Sequence, residues 1–255
     1  MQLEIGSRTD IGRVRTNNED ACRALPSLQL FVISDGMGGE SHGELASAIA
    51  GDTIVARCSE TSDGTETRYP EAERPDLSEK TKRLASAVRL ANRNIYETAL
   101  ANPLLHGMGA TVVAAWLEGP RLSLVHVGDS RAYLLRSGVL RQLTSDHTLG
   151  AEQVRCGFIK PEEAHLNRMR DVLIRALGVL EQVELDATEY LLLNHDVVLL
   201  CTDGLTHMVT DSEIASALLE FPDAQASADH LVLLANEHGG QDNVSVIVVH
   251  ITELS

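Results

Sequence analysis

The sequence predicts an α+β fold in which two antiparallel β-sheets form a central sandwich flanked by helices on both sides, in α-β-β-α layers. Three observations predict it. Short β-rich runs at 111–116, 122–127, 131–135 and 139–143 are separated by Gly119-Pro120, Gly128-Asp129 and Ser137-Gly138, turns that read as an antiparallel meander rather than repeated βαβ units. Helical periodicity comes in two pairs, one early and one late, outside that β-rich middle. Apolar residues are 44% of a 255-residue chain and charged residues 23%, enough to bury a full core without a disulfide. No repeat or long linker divides residues 1–255, which read as one domain.

Each element has its own signal. Leu3 and Ile5 alternate in an outer strand over 1–10, and residues 22–25 pair with 28–33 across Pro26-Ser27 as a hairpin. Ser41 and Glu44 form a capping-box pattern that opens a helix to about 58, with Ala46, Ile49, Ala50, Thr53 and Ile54 as its buried stripe. Residues 60–76, with Asp63-Gly64, Pro70 and Pro75, lack periodicity and form a surface loop. Leu84, Val88, Ala91 and Ile95 recur at spacings of four, three and four, marking an amphipathic helix over about 77–100 that Pro103 stops. Between His147 and Asp171 the pattern is helical and polar, broken by Gly157 and restarted at Pro161. Strands resume at 183–193 and 197–201. Thr210 and Glu213 cap a helix to about 220, a second helix runs over about 223–238, and Gly239-Gly240 ends it before the last strand.

Composition excludes several classes of function. A formal charge of −16 argues against a nucleic-acid surface, which needs clustered Lys and Arg. No apolar run reaches the roughly 18 residues of a membrane span, and the N-terminus lacks a signal-peptide pattern, so a cytoplasmic location is expected. Cys22, Cys58, Cys156 and Cys201 are widely spaced, which reads as free thiols rather than a disulfide framework or a zinc site.

The chemistry concentrates where apolar runs meet aspartates. Phe31-Val32-Ile33-Ser34 ends in Asp35-Gly36-Met37-Gly38-Gly39, residues 197–202 end in Asp203-Gly204, and Asp242-Asn243 precedes 244–249. Taken singly each is an ordinary turn or cap. If the strands lie side by side, the three carboxylates converge, and like charges so close require a cation. Oxygen-only donors favour magnesium or manganese over zinc. Two dications about 3.5–4 Å apart, sharing one carboxylate, would turn a bridging water into a hydroxide aimed at an electrophile. Arg15 supplies a fork that can clamp a phosphoryl group, and Glu19 could hold a metal-bound water; an ion pair of Arg15 with Glu19 or Asp20 is the plainer reading of that stretch.

Read together, Arg15-Thr16-Asn17-Asn18-Glu19-Asp20, Asp35-Gly36-Met37-Gly38-Gly39, Gly107-Met108-Gly109-Ala110-Thr111, Val127-Gly128-Asp129-Ser130-Arg131-Ala132, Thr144-Ser145-Asp146-His147, Thr202-Asp203-Gly204-Leu205 and Gln241-Asp242-Asn243-Val244-Ser245 resemble, in order and over almost the whole chain, the PPM family of metal-dependent serine/threonine protein phosphatases, often called type 2C, in its bacterial form. The resemblance implies hydrolysis of phosphoserine and phosphothreonine in proteins by a metal-bridging hydroxide. It also implies Mn2+ or Mg2+, two ions in the core and a third, weaker site. Asp35 would bridge the two core ions, Gly36 would offer its carbonyl to one, and Asp203 and Asp242 would hold the other. Asp129 with Asp203 would form the third site, and Glu19, Asp20 and Asn243 would act behind or through water. A flap is implied over about 148–170. The chain departs from the family at Met37, where eukaryotic members carry a His, at Glu40, where many bacterial members carry one, and at Ala110, which replaces a common Thr. The leaving-group proton is therefore left between metal-bound water and His42.

The expected partners are phosphorylated proteins, opposite a Ser/Thr kinase in signalling, with no nucleic acid and no membrane. Two other readings stand beside the hydrolase. A catalytically silent, phosphatase-like binding module would lack a metal-binding Asp, and none is missing. A phosphotransferase with Asp35 as nucleophile would want a second Asp where Met37 stands.

Overall fold

Apolar side chains alternate along the central strands so that both faces are covered. In the structure, a computed structural model that describes residues 1–38, 42–60, 74–160, 163 and 169–254, the strands are β1 (Gln2–Asp10), β2 (Asp20–Leu25), β3 (Leu30–Met37), β4 (Gly109–Ala110), β5 (Val112–Glu118), β6 (Arg121–Val127), β7 (Arg131–Arg136), β8 (Val139–Gln142), β9 (Asp186–Leu191), β10 (Val197–Cys201) and β11 (Val244–Glu253). The helices are α1 (His42–Ser59), α2 (Glu79–Ala101), α3 (Leu149–Arg155), α4 (Asp203–Thr206), α5 (Asp211–Glu220) and α6 (Ala224–Glu237). One sheet has the order β1-β11-β10-β7-β8; the other runs β2-β3-β5-β6-β9, with β4 paired to β3, and all pairings are antiparallel.

Three apolar layers follow from the alternation. On β3, Leu30 and Val32 pack with Ala46, Ile54, Leu84 and Val88 of α1 and α2. Phe31 and Ile33, one step along, face Leu134, Leu200 and Ile247 of the opposite sheet. On the far side, Leu199, Val246 and Val248 meet Ile214, Leu218, Leu231 and Val232 of α5 and α6. Period-two alternation thus has apolar residues on both faces of each sheet, because each is sandwiched between a sheet and a helical layer.

The helices begin where their caps dictate. Ser78 accepts from the Thr81 amide at the start of α2, Thr210 and Glu213 form a reciprocal capping box on α5, and Asp223 accepts from the Ala226 amide on α6. Ser41, the expected cap of α1, lies outside the described residues, as do Gly39 and Glu40, most of the loop expected over 60–76, and the helix start at Pro161. The four cysteines are free, and burial pushes the Cys58 and Cys201 thiols up to about 12. Among the described residues no helix is long and apolar enough to cross a membrane.

Three expectations are corrected. The meander is split: β5 and β6 belong to one sheet, β7 and β8 to the other. The chain changes sheet at Gly128, whose φ of +102° and lack of a Cβ, which would lie 2.6 Å from Thr111, permit the crossing. The three aspartate-bearing strands are not neighbours either, since β10 and β11 pair with each other while β3 lies in the facing sheet. The strand expected over 183–193 contracts to β9, because Val183 instead joins the apolar layer under α2.

Candidate active site

A cavity of about 510 Å³ is lined by Arg15, Glu19, Asp35, Gly36, Asp129, Asp203, Asp242 and Asn243, together with Met37, Thr111 and Asp171. The carboxylates reach it from both sheets. Asp35 comes from the end of β3, Asp203 opens α4 directly after β10, Asp242 precedes β11, and Asp129 sits in the turn between β6 and β7. Convergence therefore happens across the sandwich, at one end of it. Asp20, which pairs with Asp35 in register on β2, lies half-buried behind this set.

Each acid is fixed by its backbone. The Asp35 amide donates to Thr111 Oγ1 at 3.1 Å, the Thr111 amide donates back to the Asp35 carbonyl at 2.8 Å, and Thr111 Oγ1 meets Ser130 Oγ at 2.7 Å. Gly36 has no room for a side chain: a Cβ there would lie 2.0 Å from the Gly43 carbonyl oxygen. Gly204 is equally tight, at 2.0 Å from the Asn243 carbonyl oxygen. Asn243 locks the loop that carries Arg15. Its Oδ1 accepts from the Glu19 amide at 2.8 Å, and its Nδ2 donates to the Ile11 and Asn17 carbonyls, both at 2.9 Å.

Arg15 forms an ion pair, but with a different acid from the two expected. Its Nη2 donates to Asp242 Oδ2 at 2.7 Å, while Asp242 Oδ1 accepts from the Asn243 amide at 2.9 Å. The pairing, in which the hydrogen bond to Asp242 is the largest contribution, raises the Arg15 pKa above its usual value. It also holds the planar guanidinium at the cavity wall. Asp20 Oδ2 accepts from Thr202 Oγ1 at 3.0 Å, and Thr202 Oγ1 in turn accepts from the Ser245 amide at 3.0 Å, tying β2 to β10 and β11.

The electrostatics are those of a site short of positive charge. Burial, followed by the charges on Asp20, Asp203 and Asp129, pushes Asp35 well above the usual carboxylate range. Burial is likewise the first cause for Asp129, pushed up to about 7 with Asp203 and Asp146 adding to it, and for Asp20, pushed up to about 7 against hydrogen bonds from Ser245 and Thr202. Asp203 is raised by burial and Asp242, with His207 acting the other way. Asp20 Oδ1 and Asp203 Oδ1 are buried with no hydrogen-bond donor facing them among the described residues. Buried carboxylate oxygens without donors, an all-oxygen donor set and a glycine that keeps the backbone accessible fit hard divalent cations.

Some residues near the site were not singled out from the sequence. Asp171 lines the cavity, and His207 lies between Asp203 (3.4 Å) and Asp171 (3.6 Å). Asp171 has no spacing signal, since its contact with His207 joins segments distant in the chain; His207 follows Asp203 by one helical turn, a spacing that could have been read. Thr111, whose part in fixing Asp35 is described above, stands in the motif around Gly109 and could have been found there. Asp146, from the Thr144–His147 motif, takes Arg131 through three hydrogen bonds of 2.7–3.1 Å and so anchors β7 rather than lining the cavity. His42 is not among the lining residues; Met37 is.

A helix-flanked β-sandwich that gathers unneutralised carboxylates beside an arginine at one rim defines a metal-dependent phosphatase. Comparison with known proteins makes the class specific. The family described as protein phosphatase 2C matches residues 12–235. The serine/threonine phosphatase stp of Listeria monocytogenes serovar 1/2a is 37% identical over 245 residues, covering 95% of this chain and 93% of that protein. The serine/threonine protein phosphatase PstP of Mycobacterium tuberculosis H37Rv is 39% identical over 251 residues, but the chain spans only 45% of its length. The catalytic domain of PstP, solved in complex with two manganese ions, superposes with a TM-score of 0.83 at 37% identity, covering 98% of this chain and 99% of that one. The chain belongs to the protein phosphatase 2C family.

Proposed function

We propose that the cavity between the sheet ends hydrolyses phosphoserine and phosphothreonine in protein substrates with Mn2+ or Mg2+, two ions in the core and a third, weaker one. The observation that carries this reading is the meeting of Asp35, Asp129, Asp203 and Asp242 around one cavity beside Arg15, with Asp203 Oδ1 facing no donor among the described residues. Asp35 would bridge two ions with the Gly36 carbonyl beside it; Asp203 and Asp242 would hold the second ion, and Asp129 with Asp203 the third. When bound, the ions supply Lewis acidity at the phosphoryl oxygens and an activated water. Arg15, oriented by Asp242, would clamp the phosphoryl group and stabilise the charge on its equatorial oxygens. Thr111 and Asn243 would keep Asp35 and the Arg15 loop from shifting, which matters because misplacement by about 1 Å can cost 10²-fold in rate. Glu19 and Asp20 would act through water or behind the ligands.

The single-domain reading of 1–255 carries a flap over about 148–170, of which α3 and the pairing of Thr148 with Leu173 are described. Cytoplasmic signalling opposite a Ser/Thr kinase is the setting that the phosphoprotein substrate class suggests.

The test is release of phosphate from p-nitrophenyl phosphate and from a phosphothreonine peptide. Activity should require added Mn2+ or Mg2+, vanish in EDTA, and fall by about 10²–10³-fold or more in Asp203→Ala, the scale of losing one stabilising group in such a site. Undiminished turnover in chelator would reject the reading.

A further inference from the structure

The strongest cluster of titratable groups outside the lining of the cavity is His126, His147 and Asp186, whose potential ligand atoms lie within 4.8 Å of one another. Its geometry excludes a metal. Arg175 Nη1 fills the space between them, at 3.2 Å from His147 Nε2 and 3.1 Å from Asp186 Oδ1. His126 Nε2 lies 2.9 Å from the Ser145 carbonyl oxygen, which can only accept, so that nitrogen carries hydrogen. What the cluster does is hold His147, which is 1% exposed and stacked on His126 with ring centroids 4.7 Å apart.

Both hydrogen-bonding groups of Gly128 go to His147. The Gly128 amide donates to His147 Nδ1 at 3.1 Å, and the His147 amide donates to the Gly128 carbonyl at 3.0 Å. The Gly128 amide, a donor only, faces Nδ1, while Nε2 faces Arg175 Nη1, also a donor only, at 3.2 Å and Asp186 Oδ1 at 3.5 Å, so both ring nitrogens are engaged. The next residue after Gly128 is Asp129, whose carboxylate enters the cavity. On its other side His147 meets the segment that returns from α3: the Ile174 amide donates to the His147 carbonyl at 2.9 Å, the Leu149 amide to the Val172 carbonyl at 2.8 Å, and the Gly150 amide to the Arg170 carbonyl at 3.1 Å. Asp171 and Leu173, within that segment, also line the cavity.

We infer that His147 is a positioning residue that fixes the Asp129 turn and couples it to segment 170–174 at the cavity rim. The inference rests on the proposed role of Asp129 in ion binding only for its effect on metal dependence. Loss of such an outer contact weakens a metal site about 10–100-fold. His147→Phe keeps the stack on His126 but offers no acceptor to Gly128. His147→Asn puts Oδ1 where Nδ1 stands, and His147→Gln puts its amide near Nε2.

Two measurements test it. Backbone-amide NMR of the full chain with Mg2+ should show the Gly128 and Asp129 resonances displaced in His147→Phe and His147→Gln and close to their native positions in His147→Asn. In phosphatase assays, the Mn2+ concentration for half-maximal activity should rise about 10–100-fold in His147→Phe and His147→Gln, while His147→Asn recovers most of the loss. Gly128 and Asp129 resonances unmoved in His147→Phe, equal impairment of all three folded variants, or Zn2+ bound by His126, His147 and Asp186 would overturn it. The amide resonances are read without catalysis, so a failure of the metal-dependent reading appears in the Asp203→Ala assay and a failure of this inference at the Gly128 amide.

Discussion

Thr111 and Gly36 do the finest work in placing Asp35, one through a hydroxyl and the other through the absence of a side chain. Thr111→Val keeps the shape but leaves the Asp35 amide without its acceptor, so stability should fall by about 1–3 kcal/mol in urea denaturation. Gly36→Ala forces a methyl group against the Gly43 backbone. That overpacking should cost about 1–3 kcal/mol and, because the clash is at the mouth of α1, also weaken Mn2+ binding measured by calorimetry. Arg15 gives a third prediction. Arg15→Lys retains charge but not the planar fork held by Asp242, so KM for a phosphopeptide should rise several-fold. An unchanged KM would remove Arg15 from substrate binding.

At the scale of elements, helices fasten the segments that the site needs, and some fasten only themselves. Asn92 of α2 accepts from the Gly178 amide at 2.8 Å and donates to the Leu180 and Glu181 carbonyls at 3.1 and 3.0 Å. The held segment pairs through Leu177 with Ala110 of β4, beside Gly36. Asn92→Leu strands buried polar groups and should destabilise by about 2–3 kcal/mol. The capping box of α5 is the contrast. Thr210→Ala should cost about 1 kcal/mol of stability, and kcat should not change, since α5 packs on the sheet away from the cavity.

For the whole molecule, crowding of acids at one rim sets how stability follows pH. Asp20 and Asp129 are raised to about 7, so the folded chain holds protons that an unfolded chain releases near pH 4. Stability in EDTA should therefore decline as pH climbs from about 4 to about 7 and level off above that. His126 and His250, lowered by burial, act oppositely but have finished titrating in the unfolded chain by about pH 7.5. Asp186 and Glu189, lowered to about 2, contribute only to a loss in acid. Calorimetry in EDTA should show Tm falling between about pH 5 and pH 7.5, and Mn2+ at pH 8 should restore it. A Tm that rises with pH in chelator would contradict the arrangement of charges.

The sequence by itself determined the layers and the identity of the acids. Period-two runs, turn pairs and caps act over a few residues, so β5 to β8, α2 and the capping box of α5 were legible within a residue or two, and the ordered motifs named Asp35, Asp129, Asp203 and Asp242. Tertiary structure alone decided which sheet each strand joins, since a β-rich run reads the same in either. The crossing at Gly128, the capture of Arg15 by Asp242, the meeting of Asp171 with His207, and the grip of His147 on the Asp129 turn are contacts between segments far apart in the chain. Local patterning carries no information about such pairs, because the partner that wins is chosen by burial and by which donors remain when the sheets close on each other.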